Sequence, residues 1–191
     1  MTYAAFLTAA LALLLAPGPT NTLMGVAGAQ AGTGRVIRLI PAELLGYLTA
    51  ILPLAWLGAG LPERWPVAAI LLKLAAAAWV MILAVRLWGP PGGGADAGAV
   101  GARRIYVTTL LNPKALIFGL VLLPAPGEAQ FLPKLGLFCL MVAGVALVWG
   151  TAGRLTQIGG NGDRRLLMVQ RLASGWLALV SVMLIAGTIR A

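Results

Sequence analysis

The sequence predicts an all-α integral membrane protein: six transmembrane helices in two inverted three-helix repeats, the first helix of each half broken by proline. Three observations lead there. Of the 191 residues, 60% are hydrophobic and 10% charged, with a mean hydropathy of +0.94, whereas a soluble domain is about 45 to 50% apolar and about 25% charged. Apolar runs recur at the length of about 20 residues that a hydrocarbon core of about 30 Å requires of a helix. A Gly/Pro-rich stretch beginning at Gly89 divides the chain near its middle, with three such runs on either side.

The elements follow in order. Met1 to Gly34 carries no Lys, Arg, Asp or Glu, and helix one is expected over 3–33. At about 1.5 Å per residue this is too long for one straight crossing, and Pro17-Gly18-Pro19 in its middle predicts a break. A cleaved signal peptide is disfavoured, because the segment has no basic n-region and no small-residue cleavage site before polar sequence. Helix two is expected over 36–61, including the uncharged run from Leu44 to Pro62, and helix three over 66–88 around Lys73. Gly89-Pro90-Pro91-Gly92-Gly93-Gly94, continuing to Gly101, has the composition of a flexible connection. Helix four is expected over 105–124 around Lys114, helix five over 131–153 and helix six over 170–190. The chain is thus one membrane domain of two repeats, 1–88 and 105–191, joined by a linker at 89–104.

Orientation is read from Lys and Arg in the connections. Connections 1-2, 3-4 and 5-6 hold Arg35, Arg38, Arg86, Arg103, Arg104, Arg154, Arg164, Arg165 and Arg171, whereas the opposite side holds Arg64, Lys134 and Arg190. Nine against three puts the linker in the cytoplasm and both termini outside. An internal repeat supports the division. Leu14-Leu15-Ala16-Pro17 lies 96 residues before Leu110-Leu111-Asn112-Pro113, and the stretch from Lys73 to Trp79 resembles that from Arg171 to Trp176 with one gap. Inverted repeats place a site near the midplane, built from interrupted helices.

The breaks carry the candidate chemistry. A helical proline has no N–H and displaces the carbonyl four residues earlier, so Pro17, Pro19 and Pro113 are expected to free the carbonyls of Leu13, Leu15 and Thr109. Free acceptors attract cations, while the unpaired N–H groups of a restarting helix favour an anion. Thr20, Asn21 and Thr22 follow the first break, and Asn112, Pro113 and Lys114 form the second. A zwitterionic amino acid offers the complementary carboxylate and ammonium. The candidate substrate-binding residues are therefore Pro17, Gly18, Pro19, Thr20, Asn21, Asn112, Pro113 and Lys114, with Glu43 added as the within-span carboxylate. Glu43 is expected to face Tyr47 or Lys114, or else to pair with Arg35 or Arg38 at the helix end. Lys114 lies roughly 13 Å into helix four by helical rise, whereas Lys73 is expected to snorkel to the outer interface. The competing reading is that both proline breaks only kink helices for packing.

Gly46, Ala50, Gly58, Ala75 to Ala78, Gly144 and Gly175 are expected to allow close helix approach. Trp56, Trp65, Trp79, Trp88, Trp149 and Trp176 read as interface anchors or lipid-facing bulk, and Cys139 as packing. Other classes fit poorly. With no histidine and one cysteine there is no ligand set for zinc, haem or an iron–sulfur cluster, so no cofactor or metal is expected. The net charge of +9 is scattered between apolar runs rather than clustered, which argues against nucleic acid. The five acids Glu43, Glu63, Asp96, Glu128 and Asp163 are dispersed, which argues against an enzyme.

Pro17-Gly18-Pro19-Thr20-Asn21-Thr22-Leu23, Gly46, Leu72-Lys73-Leu74 and Leu111-Asn112-Pro113-Lys114-Ala115 together resemble the hallmarks of LysE/RhtB-type translocators, over nearly the whole chain in order and spacing. The chain departs from them in the Thr between Pro19 and Asn21, in Pro124-Ala125-Pro126 after the fourth helix, and in a short third connection. The resemblance implies a multi-pass protein of the bacterial inner membrane that exports amino acids or similar small metabolites, driven by the proton gradient. Its implied partners are the lipid bilayer and an amino-acid substrate, with self-association left open. The alternatives are a non-transporting structural or regulatory membrane subunit, or a carrier of another small metabolite.

Overall fold

The computed structural model describes residues 1–64 and 99–156, together with single positions between Val67 and Val85 and between Arg171 and Val182 that are all helical. Most of predicted helices three and six, Lys73, the greater part of the glycine-rich linker and the correspondence between Lys73–Trp79 and Arg171–Trp176 lie outside the described residues. Among those described every regular element is helical and there is no strand. Helix α1 is Tyr3–Leu15, α2 is Pro19–Arg64, α3 is Ala102–Leu110 and α4 is Pro113–Ile117; a π-helical turn, Phe118–Leu122, follows, and α5 is Phe131–Thr156. Two stretches are long and apolar enough to cross a membrane, Pro19–Ala59 and Phe131–Leu155. A third results if Ala102–Leu110 and Pro113–Leu122, bent by 48°, form one span.

Helix α1 starts where the Thr2 hydroxyl accepts from the Ala5 N–H, and it buries Phe6, Ala10, Leu13 and Leu14 along one stripe. It ends one residue before Ala16, whose extended ψ of 129° is what a following proline imposes. Pro19 then occupies the first position of α2, where its missing N–H is no loss. The long α2 is two limbs, 19–30 and 33–64, because Ala31 and Gly32 leave helical geometry between them. Gly32 takes φ +71°, a conformation that a side chain disfavours. The expected boundary between helices one and two, at 33–36, therefore falls at 31–32. Similarly, helix four starts at Ala102 rather than 105, so Arg103 and Arg104 belong to the first turn of α3 and not to the linker.

Helix α5 gives the frame its direction. Lys134, in its first turn, donates from Nζ to the Met1 carbonyl at 2.8 Å and lies over the rings of Tyr3 and Phe6. Toward its other end, the backbones of Gly25 and Gly28 press against Trp149, Gly150 and Gly153. The chain from α1 through the break into the first limb of α2 thus runs alongside α5 in the same sense, over roughly 24 Å of helical rise. Contact at that end is backbone to backbone. A Cβ on Gly28 would lie 2.0 Å from the Gly150 carbonyl oxygen, and one on Gly153 would lie 1.9 Å from that of Gly25. Since lipid supplies no hydrophobic drive between helices, association depends on such close packing.

The second limb of α2 packs the same way on α3, where a Cβ on Gly46 would lie 2.8 Å from both the Thr109 side chain and the Tyr106 carbonyl. Gly46 behaves as expected, and Gly58 makes an ordinary contact with Leu120. At Gly144 and Gly175 no described residue lies within 4 Å of a Cβ built there. The aromatic centre of the bundle is Phe138, edge-on to Tyr47 at 5.4 Å and tilted on Phe118 at 4.5 Å. Cys139 packs at the margin of this cluster. Trp56 is exposed as expected, whereas Trp149 is half-buried, packed against both apolar clusters with its indole N–H buried.

Candidate functional site

The two helix breaks meet. At the second, Asn112 takes the extended conformation that Pro113 requires, and its Oδ1 accepts from the Lys114 N–H at 3.1 Å, which caps α4. The Asn112 amide nitrogen is thereby aimed at the first break, where Nδ2 donates to the Thr20 hydroxyl at 3.1 Å and to the Tyr47 hydroxyl at 3.4 Å. Thr109, one turn earlier, places its Oγ1 3.2 Å from the same Thr20 oxygen while donating to the Ile105 carbonyl at 2.8 Å.

The other contacts run from Lys114 and Asn21 to the carbonyl end of α1. Lys114 Nζ donates to the Leu14 carbonyl at 3.1 Å and to the Ala16 carbonyl. Asn21 Nδ2 donates to the same two oxygens, at 2.8 and 2.9 Å. The carbonyl end of a helix carries the negative pole of its dipole, so an ammonium is suited to this place. The lysine runs past Gly18, where a Cβ would be in ordinary contact with Cε and Nζ, at 3.5 and 3.6 Å. Thr20, Asn21, Glu43, Thr109, Asn112 and Lys114 are each no more than 3% exposed.

Two expectations change. The carbonyls in use are those of Leu14 and Ala16 rather than Leu13 and Leu15, because α1 stops before Pro17 instead of continuing through it. The Thr109 carbonyl is not free, since it accepts from the Asn112 N–H at 3.0 Å. The prolines that open restarting helices are Pro19 and Pro113, 94 residues apart, and Pro17 belongs to the connection.

Glu43 makes no hydrogen bond to Tyr47, Lys114, Arg35 or Arg38. Arg35 donates to the Val100 carbonyl at 2.7 Å and Arg38 to the Gly34 carbonyl, so neither arginine turns toward it. Its Oε2 is fully buried without a hydrogen-bond partner among the described residues. Among the described residues there is no ion pair, and no cluster of acids, cysteines or histidines that could hold a metal. Comparison with family models, with curated proteins and with solved structures returns no match. Thr109 and Tyr47 complete the cluster through their side chains, whereas the sequence pointed to Thr109 only for its backbone carbonyl and to Tyr47 only as a neighbour of Glu43. The available signal was helical spacing, since Thr109 precedes Asn112 by about one turn and Tyr47 follows Glu43 by one.

Proposed function

We propose that the chain is a secondary transporter that exports amino acids or similar small zwitterionic metabolites, a member of the LysE/RhtB-type translocators built as six spans in two inverted repeats. The observation that carries the reading is the Asn112–Thr20 hydrogen bond, in which the restart of one broken helix bonds to the restart of another within a fully buried polar cluster. Plain kinking for packing needs no polar atoms, and each buried one costs free energy unless it is matched. Two broken helices with converging caps instead resemble the discontinuous helices that bind substrate in inverted-repeat transporters. The Leu14 and Ala16 carbonyls hold an ammonium, that of Lys114, and the N-termini of restarting helices suit a carboxylate.

In this reading α1 with 19–30 is one broken span, and α3 with α4 and the π turn is its counterpart. The basic residues orient them with the linker in the cytoplasm and both termini outside, in the bacterial inner membrane. The test is efflux and counterflow of radiolabelled amino acids in proteoliposomes. Accumulation above protein-free vesicles supports the proposal, and none across the amino-acid set removes it. Cysteine labelling at Ala97 and at the C-terminus tests orientation, and C-terminal labelling from the cytoplasmic side alone would reverse it.

A further inference from the structure

We propose that Glu43 is a proton-exchange site that controls where the first half of the protein holds Lys114: protonated, it leaves the ammonium on the α1 carbonyls; deprotonated, it draws the ammonium to itself and away from the first break. The inference rests on the transport reading for its biological use, but not for its chemistry.

The argument starts from the orphan oxygen. A carboxylate oxygen buried at membrane depth without a donor needs either a proton or a cation. Among the described residues Glu43 has neither a hydrogen-bond donor on Oε2 nor an ion pair, yet it is 2% exposed. Tyr47 follows Glu43 by one turn on its own helix and accepts from Asn112, two residues before Lys114, so the second break packs beside the turn that carries Glu43. Arg35 and Arg38 are committed to backbone carbonyls elsewhere. Lys114 is the buried cation of this cluster, and its ammonium is already engaged by Leu14 and Ala16.

Those two carbonyls are not left bare if the lysine leaves, because Asn21 donates to both. The ammonium can therefore move without orphaning the groups it abandons. In the exchange, the O–H bond of the Glu43 carboxyl breaks and its proton passes to water. No other covalent bond changes, and Lys114 keeps its three protons. The hydrogen bonds that the ammonium gives up are those from the second break to the carbonyl end of α1, while the Asn112–Thr20 bond between the restarts stays in place.

Difference infrared spectroscopy of the reconstituted protein across a pH titration reads the proton directly. The carbonyl stretch of a protonated carboxyl should fade as pH rises, and it should be absent in Glu43→Gln. In Lys114→Met, which has no cation to offer, the band should persist to the alkaline end. A wild type with no such band at any pH, or a Lys114→Met band that fades as in wild type, overturns the inference.

In proteoliposomes, Glu43→Gln should lose accumulation driven by a pH gradient, down to the level of protein-free vesicles. Wild-type accumulation by Glu43→Gln would sink the exchange while leaving the transport reading in place. The infrared titration with no transport of any amino acid by the wild type would uphold the exchange and remove the transport reading.

Discussion

The Lys114 ammonium lies 3.1 Å from the carbonyl oxygen of Leu14, a residue 100 positions earlier in the chain. A cation on one broken helix thereby caps the C-terminal end of another. The same carbonyl is shared with Asn21, so the first break is covered by a neutral donor from its own restart and by a charged one from the other half.

Lys114→Met tests this cap. Hydrogen bonds from a charged group contribute about 1.5 to 3 kcal/mol, and the variant keeps the stem while deleting the charge. With Asn21 still in place no carbonyl is stranded, so the loss should stay within that range and appear as a lower unfolding temperature in detergent. Adding Asn21→Leu strands both oxygens, and the double variant should lose more than the sum of the single ones. Additive losses would show that the two donors act independently. Transport by Lys114→Met should fall at least about tenfold, the equivalent of about 1.4 kcal/mol.

Glycine positions give a contrast across one helix pair. Gly28→Leu would force a side chain into the Gly150 backbone, where even a Cβ lies 2.0 Å from the carbonyl oxygen. Backbone cannot rotate away, so the helices must separate, at a cost of about 1 to 3 kcal/mol or more. Gly144→Ala has nothing within 4 Å of the added carbon and should be neutral or slightly stabilising. Equal unfolding temperatures for the two variants in the same detergent would contradict the packing described.

How far the sequence foretells this arrangement depends on the interaction concerned. The breaks were legible because proline acts on its own neighbours: Pro17, Pro19 and Pro113 determine local backbone whatever surrounds them. Which carbonyls would be used was not, since that depends on α1 ending at Leu15 and on a lysine arriving from 100 residues away. Glu43 was legible as a charge inside a span, but its lack of a partner is a property of three-dimensional neighbours. Glycine gave mixed results for the same reason. Small residues permit close approach, and only the packing decides that Gly28 and Gly153 use it while Gly144 faces outward.

Trp149 offers a stabilising substitution. Its Nε1 is buried and has no acceptor among the described residues, a donor whose desolvation goes uncompensated. Trp149→Phe removes that donor and keeps an aromatic ring, against the loss of some packing volume. An unpaired buried donor costs about 1 to 3 kcal/mol, so the variant should unfold at the same or a higher temperature. A clear drop would show that ring volume outweighs the unmet N–H.

Thr20 joins the two restarts, and its hydroxyl can be separated from its shape. Thr20→Val keeps the outline and deletes the oxygen, which leaves Asn112 Nδ2 with only its longer hydrogen bond to Tyr47 and removes the neighbour of Thr109 Oγ1. Thr20→Ser keeps the oxygen and deletes a methyl. If Thr20 serves as a polar joint, the valine variant should lose about 1 to 3 kcal/mol, the range for leaving a buried donor unpaired, and about tenfold or more in transport, while serine retains most of both. If Thr20 serves only as packing, the order reverses, because serine opens a methyl-sized gap and valine none. Detergent unfolding curves and proteoliposome counterflow on the same two variants decide between these orders.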